Sequence, residues 1–122
     1  MSKPTVLLAD DDVKIRALVA ATLGTENFNL AMAGDGEETL AKVQAERPAL
    51  VLLDINMPLL SGLEVCRRIK ADPATAHIKV VMLTASGSDE HRTRAFEVLA
   101  DDYFMKPFSP IALLDKVYDL LG

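Results

Sequence analysis

Short runs of aliphatic residues alternate along the chain with stretches in which apolar residues recur every three or four positions. The clearest run is Leu50–Asp54, four aliphatic residues followed by a carboxylate. It is too short for a helix core, so it predicts a strand buried on both faces. Asn56 and Pro58 then turn the chain out of the sheet. Similar runs predict four further strands, at Thr5–Ala9, 28–33, 78–83 with Thr84 at its end, and Asp102–Met105.

Helical spacing predicts the connections between these strands. The first helix has its apolar residues at Ile15, Leu18, Val19, Thr22 and Leu23, and Gly24 suits its end. Two capping boxes, at 35–38 and 61–64, open the next two helices. The inward residues of these two helices are Leu40 and Val43, ahead of Pro48, and Leu63, Cys66 and Ile69.

Two more helices complete the alternation. One is predicted over residues 88–99. The last begins with Ser109 as N-cap and Pro110 at its first position. Its predicted inward residues are Ile111, Leu114, Val117, Tyr118 and Leu121. Five strands alternating with five helices give a (βα)5 order, and right-handed crossovers make this a three-layer α/β fold with a doubly wound parallel sheet. We expect one domain over residues 1–122.

Composition restricts the class of function. The formal net charge of −5 argues against a nucleic-acid-binding surface, which would need clustered Lys and Arg. The single cysteine, Cys66, cannot form an internal disulfide, which favours a reducing compartment. Its place on the third predicted helix indicates that it packs in the core. No apolar run is long enough to span a membrane, and residues 1–4 lack the apolar stretch of a signal peptide. We therefore expect a soluble cytoplasmic protein without membrane contact.

Polar residues stand where the predicted strands end. They are Asp10 and Asp11, Asp54, Thr84 and Lys106. The carboxyl ends of parallel strands meet at one edge of the sheet, where ligands bind. Three carboxylates there, with a backbone carbonyl, form an oxygen-only site that suits Mg²⁺. An ammonium and a hydroxyl beside them fit a tetrahedral anion carried on Asp54. On its own, Asp54 could equally do no more than begin a turn.

Four segments resemble the receiver domain of two-component response regulators. They are Val6-Leu7-Leu8-Ala9-Asp10-Asp11-Asp12, Leu53-Asp54-Ile55-Asn56-Met57-Pro58, Val81-Met82-Leu83-Thr84-Ala85 and Asp101-Asp102-Tyr103-Phe104-Met105-Lys106-Pro107-Phe108. The resemblance covers essentially the whole chain. It implies the flavodoxin-like strand order 2-1-3-4-5, which is a known order for doubly wound sheets. It also implies a signalling phosphoacceptor rather than an enzyme.

The resemblance assigns a role to each motif residue. Asp54 would take a phosphoryl group from a phosphohistidine on a sensor histidine kinase or histidine phosphotransfer protein. Mg²⁺ would be bound by Asp11, Asp54 and the Asn56 carbonyl, with Asp10 acting through water. Lys106 would pair with Asp54 or its phosphate, and Thr84 would bond a phosphoryl oxygen.

The resemblance also implies a switch. When Thr84 is drawn to the phosphate, Tyr103 would turn inward and the small Ala85 would leave it room. The face formed by the fourth helix, the fifth strand and the fifth helix would then report the change to a partner protein. The Lys106–Pro107 bond would be cis, as in the family.

One position departs from the family pattern. Leu99 stands where the family usually has a glycine that ends the fourth helix in a left-handed conformation. A leucine is disfavoured there by about 1 kcal/mol or more, so we expect this helix to end differently. His77 and His91 lack partners at metal-ligand spacing and are expected at the surface.

Two alternative functions compete with this one. Asp10-Asp11-Asp12-Val13 also matches the first four positions of the D-x-D-x-[TV] motif of haloacid-dehalogenase-type phosphohydrolases, but Lys14 stands at the [TV] position and the assignment leaves Asp54 without a role. A pseudo-receiver that binds without phosphorylation should lack one of the acidic, Thr or Lys positions, and this chain has all of them. We expect either a stand-alone regulator that ends at Gly122 or part of a longer chain with an effector domain, with the downstream protein effector unassigned.

Overall fold

The computed structural model describes residues 3–24, 27–84, 97–106 and 108–121. Within these ranges the strands are β1 (Thr5–Ala9), β2 (Asn29–Ala33), β3 (Leu50–Asp54), β4 (Lys79–Thr84) and β5 (Asp102–Met105). The helices are α1 (Val13–Leu23), α2 (Gly36–Glu46), α3 (Gly62–Ala71) and α4 (Pro110–Leu121). The strands form one parallel sheet in the order β2-β1-β3-β4-β5, which confirms the predicted fold.

The central strand β3 is buried along its whole length, as its uninterrupted aliphatic run predicts. Its side chains alternate between two cores, one on each face of the sheet. Val51 and Leu53 pack with α3, whereas Leu50 and Leu52 pack in the core that α1 and α4 share. The register pairs Ala9 with Leu53, so Asp10 and Asp54 emerge at the same level of the sheet. The fold thus fixes the relative height of these two carboxylates.

Capping side chains set the helix starts as the sequence predicts. Asp35 Oδ1 accepts from the Glu38 N–H at 2.7 Å, as in a capping box, while Glu38 Oε1 accepts at 2.6 Å from the N–H of Gly34, the residue before the cap. The hydroxyls of Ser61 and Ser109 cap α3 and α4 in the same way. In addition, Asp12 caps α1 through a bond from the Lys14 N–H.

The predicted inward face of α4 was partly wrong. Val117 is fully buried, but Ile111 is 74% exposed and Tyr118 45% exposed, while Leu113 is fully buried and was missed. At 100° per residue, Ile111 and Tyr118 lie roughly 120–140° from the midpoint between Leu113 and Val117. The apolar stripe is wider than the surface the sheet can cover. The Tyr118 ring instead contacts Phe28, with centroids 5.3 Å apart.

In the part of the chain that the structure describes, three residues other than glycine have positive φ. Arg47 (49°) caps the end of α2, Leu59 (70°) lies in the loop between β3 and α3, and Leu99 (65°) lies in the turn before β5. The expectation that Leu99 would end its helix differently from a glycine was therefore wrong. The left-handed turn is kept although leucine is disfavoured there by roughly 1–2 kcal/mol.

Several predictions fall outside the described residues. These are most of the helix predicted over 88–99, His91, and the predicted roles of Ala85 and of the Lys106–Pro107 bond. Of the remaining ones, Cys66 is buried and His77 is exposed, as predicted. Among the described residues, none of the helices combines the length and the apolar character needed to cross a membrane.

Candidate functional site

The strand ends bring three carboxylates together at one edge of the sheet. One carboxylate oxygen from each of Asp10, Asp11 and Asp54 lies within 4.8 Å of the other two. Asp10 and Asp54 are buried, whereas Asp11 is exposed. Lys106, which follows β5, reaches into the same cluster. The structure therefore gathers four of the predicted site residues into one cluster, in which Asp11 is exposed to solvent.

Asp10 is fully buried and held from both sides. Its Oδ1 accepts from the Asp12 N–H at 2.9 Å, and its Oδ2 lies 2.7 Å from Lys106 Nζ. Apart from this ion pair, Oδ2 has no hydrogen-bond partner among the described residues. A buried carboxylate oxygen is costly without a cationic or donor partner, so Asp10 depends on Lys106 or on a bound cation.

Asp54 is held by the loop that follows it. Its Oδ1 accepts from the Asn56 N–H at 3.2 Å and lies 3.6 Å from Lys106 Nζ. The Gly62 N–H donates to the Ile55 carbonyl at 2.9 Å and closes the loop at the start of α3. A Cβ at Gly62 would lie 2.0 Å from the Asp54 carbonyl oxygen. Any larger residue there would displace the strand end that carries Asp54.

Gly62 is a site-positioning residue that the sequence analysis used only as part of a capping box. Gly62 directly follows the N-cap Ser61, at a position where a capping box does not require glycine. A glycine at that position is the sequence signal that could have identified it. Its missing side chain is what allows α3 to begin against the backbone of Asp54.

Lys106 is positioned by β4. Its backbone N–H donates to the Thr84 carbonyl at 2.7 Å, which extends the pairing of β4 and β5 by one residue. Its ammonium lies closer to Asp10 than to Asp54, so in this state it pairs first with Asp10. Burial lowers the pKa of Lys106, but the Asp10 and Asp54 carboxylates more than offset this, and the pKa is raised. Lys106 is thus a fixed positive charge at neutral pH.

The surroundings of Asp54 disfavour its charged form. Burial and the neighbouring Asp10 carboxylate raise the pKa of Asp54 from 3.8 to about 6, against the opposing effects of Lys106 and the Asn56 N–H. Among the described residues of this cluster, three carboxylates face one ammonium group, that of Lys106. The cluster therefore carries an excess of negative charge at neutral pH, which a bound cation would relieve.

This pKa predicts how stability depends on pH when no metal is bound. Because the pKa of Asp54 is higher in the folded protein than in the unfolded chain, the Asp54 contribution to the free energy of unfolding falls as pH rises from about 4 to 6. Asn cannot ionise, so Asp54→Asn should gain stability over wild type across this range. After discounting for solvent screening we expect a gain on the order of 2 kcal/mol, constant above pH 6.

Urea denaturation in chelator, at several pH values between 4 and 7.5, measures this difference. Asp119→Asn is the matched control, because Asp119 is exposed on the outer side of α4. A difference between Asp54→Asn and wild type that does not vary with pH would contradict the assignment of a raised pKa to Asp54.

The donor atoms suit a hard divalent cation. The three carboxylates supply oxygen ligands only, and the described part of the cluster includes no His or Cys. Asp10 Oδ2 is buried with a single ion-pair partner, and Asp11 is open to solvent, as a partly hydrated ion requires. These residues fit the Mg²⁺ that the sequence analysis predicted.

The remaining predicted residues lie around this cluster. Thr84 ends β4 and is 2% exposed, next to the strand end that bears Asp54. Tyr103 on β5 is partly buried and packs against the core on the α2 and α3 side of the sheet. Asn56 is exposed and contributes its N–H to Asp54. Ala85 and Pro107 lie outside the described residues.

Comparison with known proteins places the chain. The family model described as the response regulator receiver domain matches residues 6–118. The phosphate regulon transcriptional regulatory protein PhoB of Pseudomonas aeruginosa is 37% identical over 117 residues, which are 96% of this chain and 51% of PhoB. The transcriptional regulatory protein ResD of Bacillus subtilis is 40% identical over 116 residues, 95% of this chain and 47% of ResD. The chain thus spans about half the length of these curated relatives.

Solved structures agree with this placement. The chemotaxis protein CheY4 of Vibrio cholerae superposes with a TM-score of 0.91 at 31% identity, covering 98% of this chain and 99% of CheY4. The BeF3-activated receiver domain of DrrB superposes with a TM-score of 0.88 at 34% identity, covering 99% and 98%. With the family model matched over nearly its whole length, this chain belongs to the response regulator receiver domain family.

Proposed function

We propose that Asp54 accepts a phosphoryl group from a phosphohistidine, and that the domain passes this signal on through contacts with a partner protein. The observation that carries the proposal is the cluster of Asp10, Asp11 and Asp54 around Lys106 at the strand ends. The proposed domain spans residues 1–122 and acts in the cytoplasm as a signalling component rather than as an enzyme with a separate substrate.

In the proposed transfer, an oxygen of Asp54 attacks phosphorus. The P–N bond to the donor imidazole breaks as the new P–O bond forms, and the imidazole leaves with the electron pair and takes up a proton. Phosphoryl transfer depends mainly on positioning and on stabilising charge. Asn56 and Gly62 position Asp54 through the backbone contacts described above. Lys106, 3.6 Å from Asp54 Oδ1, is placed to pair with a phosphoryl oxygen.

The proposed metal is Mg²⁺, held by Asp11, Asp54 and the Asn56 carbonyl, with Asp10 acting through water. When bound it supplies positive charge that offsets the carboxylates and the incoming phosphoryl oxygens. The excess of carboxylates over ammonium in the cluster supports this proposal. Lys106 alone cannot balance three carboxylates, since it already pairs with Asp10.

The proposed donor is a sensor histidine kinase or a histidine phosphotransfer protein. The proposed readout is movement of Thr84 towards the phosphate, followed by Tyr103. Thr84 is the last residue of β4, and Tyr103 of β5 pairs with Met82 of β4. A movement of Thr84 can therefore be passed to Tyr103 across this pair of strands. A phosphoryl group shifts this equilibrium only through contacts that differ between the two states.

An amide NMR titration with Mg²⁺, followed by beryllofluoride as phosphoryl mimic, tests metal and switch together. In wild type, Mg²⁺ should shift the Asp10–Asp12 and Asn56 signals, and beryllofluoride should shift those of β5. Asp11→Ala removes a direct ligand and should weaken Mg²⁺ binding by tenfold or more. Thr84→Ala should still bind beryllofluoride but lose most of the β5 response.

Asp119→Asn, which changes the net charge away from the site, is the control and should titrate like wild type. Equal Mg²⁺ affinity in Asp11→Ala and wild type would contradict the metal assignment. Equal β5 shifts in Thr84→Ala and wild type would exclude Thr84 as the coupling residue and leave Tyr103 as ordinary packing.

A further inference from the structure

Leu59 combines a left-handed backbone with an exposed apolar side chain, next to the acidic cluster. Its φ is 70° and it is 73% exposed. It lies in the loop between β3 and α3, which also carries Asn56. We infer that Leu59 is a specificity-determining contact for the protein that donates the phosphoryl group, and that this donor presents an apolar patch beside its phosphohistidine. The inference rests on the proposed function.

The neighbours of Leu59 fix its conformation. The Pro58 carbonyl accepts from the Leu60 N–H at 2.8 Å and from the Gly36 N–H at 3.3 Å. Leu60 packs against the hydrophobic core, and a Cβ at Gly36 would lie 2.5 Å from Leu60 Cβ, so the loop is held tightly against the start of α2. Pro58 and Leu60 both contact the start of α2. Leu59 is therefore the central residue of a three-residue turn, with positive φ and an exposed side chain.

Neither folding nor solubility explains a leucine at such a position. Glycine or asparagine would adopt this backbone more easily, and a polar side chain would suit the exposure. Arg47, which also has positive φ, caps α2, and its guanidinium donates to the Ala74 carbonyl. Leu59, by contrast, is absent from the side chains that pack against either core of the described chain. Strained residues without a packing role are candidates for function. Leu99 shares these features, so what distinguishes Leu59 is its place in the loop that follows Asp54.

Leu59 lies inside the area that a protein donor must cover. It is three residues from Gly62, so their Cα atoms are at most about 10 Å apart. Gly62 in turn contacts the backbone of Asp54. A specific interface covers roughly 800 Å² on each partner, equivalent to a disc about 16 Å in radius. A donor that brings an imidazole to the buried Asp54 therefore covers the Leu59 side chain as well, and burying an apolar side chain there favours binding.

The chain contains a matched control for this inference. Leu99 also has positive φ, at 65°, and is 67% exposed. Leu99 precedes β5, so it lies at the amino-terminal ends of the strands, whereas Lys106 follows β5 and lies at their carboxyl ends. Asparagine tolerates positive φ and is polar, so Leu59→Asn and Leu99→Asn make the same change in backbone strain and surface polarity at the two edges. Both should raise the melting temperature by about 2–5 °C.

The experiment compares two phosphodonors. The protein donor is chosen from a panel of purified, phosphorylated histidine kinases and histidine phosphotransfer proteins as the member that phosphorylates the wild-type chain fastest, and the small donor is acetyl phosphate. For each variant we measure the ratio of the rate with the protein donor to the rate with acetyl phosphate. Leu59→Asn should lower this ratio about tenfold. Leu59→Met keeps an apolar side chain and should have a ratio close to that of wild type, and Leu99→Asn should have the wild-type ratio.

The outcomes separate this inference from the proposed function. A ratio for Leu59→Asn equal to that of Leu99→Asn would overturn the contact role of Leu59 while phosphorylation of Asp54 stands. If acetyl phosphate labels the wild-type chain but no protein donor in the panel does, the proposed donor class is wrong, and the inference is overturned with it. A lowered ratio that Leu59→Met does not restore would show that the apolar side chain is not what the donor recognises.

Discussion

The Asp54→Asn protein should incorporate no measurable phosphoryl group from acetyl phosphate in the presence of Mg²⁺. Asn matches Asp in shape and keeps the acceptor for the Asn56 N–H, but it is no longer a carboxylate nucleophile. Removing the attacking group should lower the labelling rate by about a thousandfold or more. The measurement is phosphate incorporation by intact-protein mass spectrometry over time.

The same experiment needs a control for the other carboxylates. Asp10 and Asp11 lie within the same 4.8 Å cluster and are the only other described candidates there for an acyl phosphate. Asp119→Asn should be labelled like wild type, because Asp119 is remote from the cluster. Label that persists at the wild-type level in Asp54→Asn would mean that another residue is the acceptor.

Lys106→Met should lower both the free energy of unfolding and the rate of phosphorylation. The variant keeps an apolar stem of similar length but leaves Asp10 Oδ2 buried without its ion-pair partner. Breaking a buried ion pair by removing one partner costs about 3–5 kcal/mol, so we expect a loss of unfolding free energy of about 3 kcal/mol at pH 7 in chelator. Loss of the charge next to Asp54 should also slow labelling by about 100-fold.

Lys116→Met provides the matched control. The Lys116 ammonium lies 2.6 Å from Asp102 Oδ2, but both side chains are about 30% exposed, at 29% and 31%. An ion pair in contact with water contributes about 1 kcal/mol or less. Urea denaturation of the two variants compares them directly. If Lys106→Met is as stable as Lys116→Met, the Lys106–Asp10 pair does not stabilise the fold.

The fold was predictable because its strands are short and its caps are explicit. β1, β3 and β5 begin and end where their runs of apolar residues predict, and β2 and β4 differ by one residue at an end. The inward face of α4 was less predictable. Its sequence is apolar around much of the helix, so periodicity alone could not decide that Leu113 rather than Ile111 is buried.

The positions of the site residues followed from one rule, that parallel strands deliver their carboxyl ends to a common edge. From the sequence, that rule predicts that Asp10, Asp11, Asp54 and Lys106 lie close together. It could not predict that Lys106 lies nearer to Asp10 than to Asp54, since this depends on side-chain rotamers. Nor could it predict the contact of Gly62 with Asp54, which depends on how closely α3 approaches the strand end.

Leu99 marks the limit of arguments from residue preference. The penalty for leucine in a left-handed conformation predicted a different helix end, yet φ is 65° there. The residues after it explain why the turn is kept. Asp101 accepts from the Val80 N–H and from Lys70 Nζ, both at 2.8 Å, and its own N–H donates to the Val80 carbonyl at 2.9 Å. These bonds fix the entry to β5 and outweigh a penalty of roughly 1–2 kcal/mol.

Chemical mapping of the phosphorylated residue identifies the acceptor side chain itself. Wild-type protein is labelled with acetyl phosphate and Mg²⁺, then treated with borohydride, which reduces an acyl phosphate of aspartate to homoserine. Peptide mass spectrometry then identifies the modified position. We expect homoserine at position 54, dependent on Mg²⁺ and absent from Asp54→Asn. Homoserine at position 10 or 11 instead, or a phosphate that survives both borohydride and alkali, would contradict this expectation.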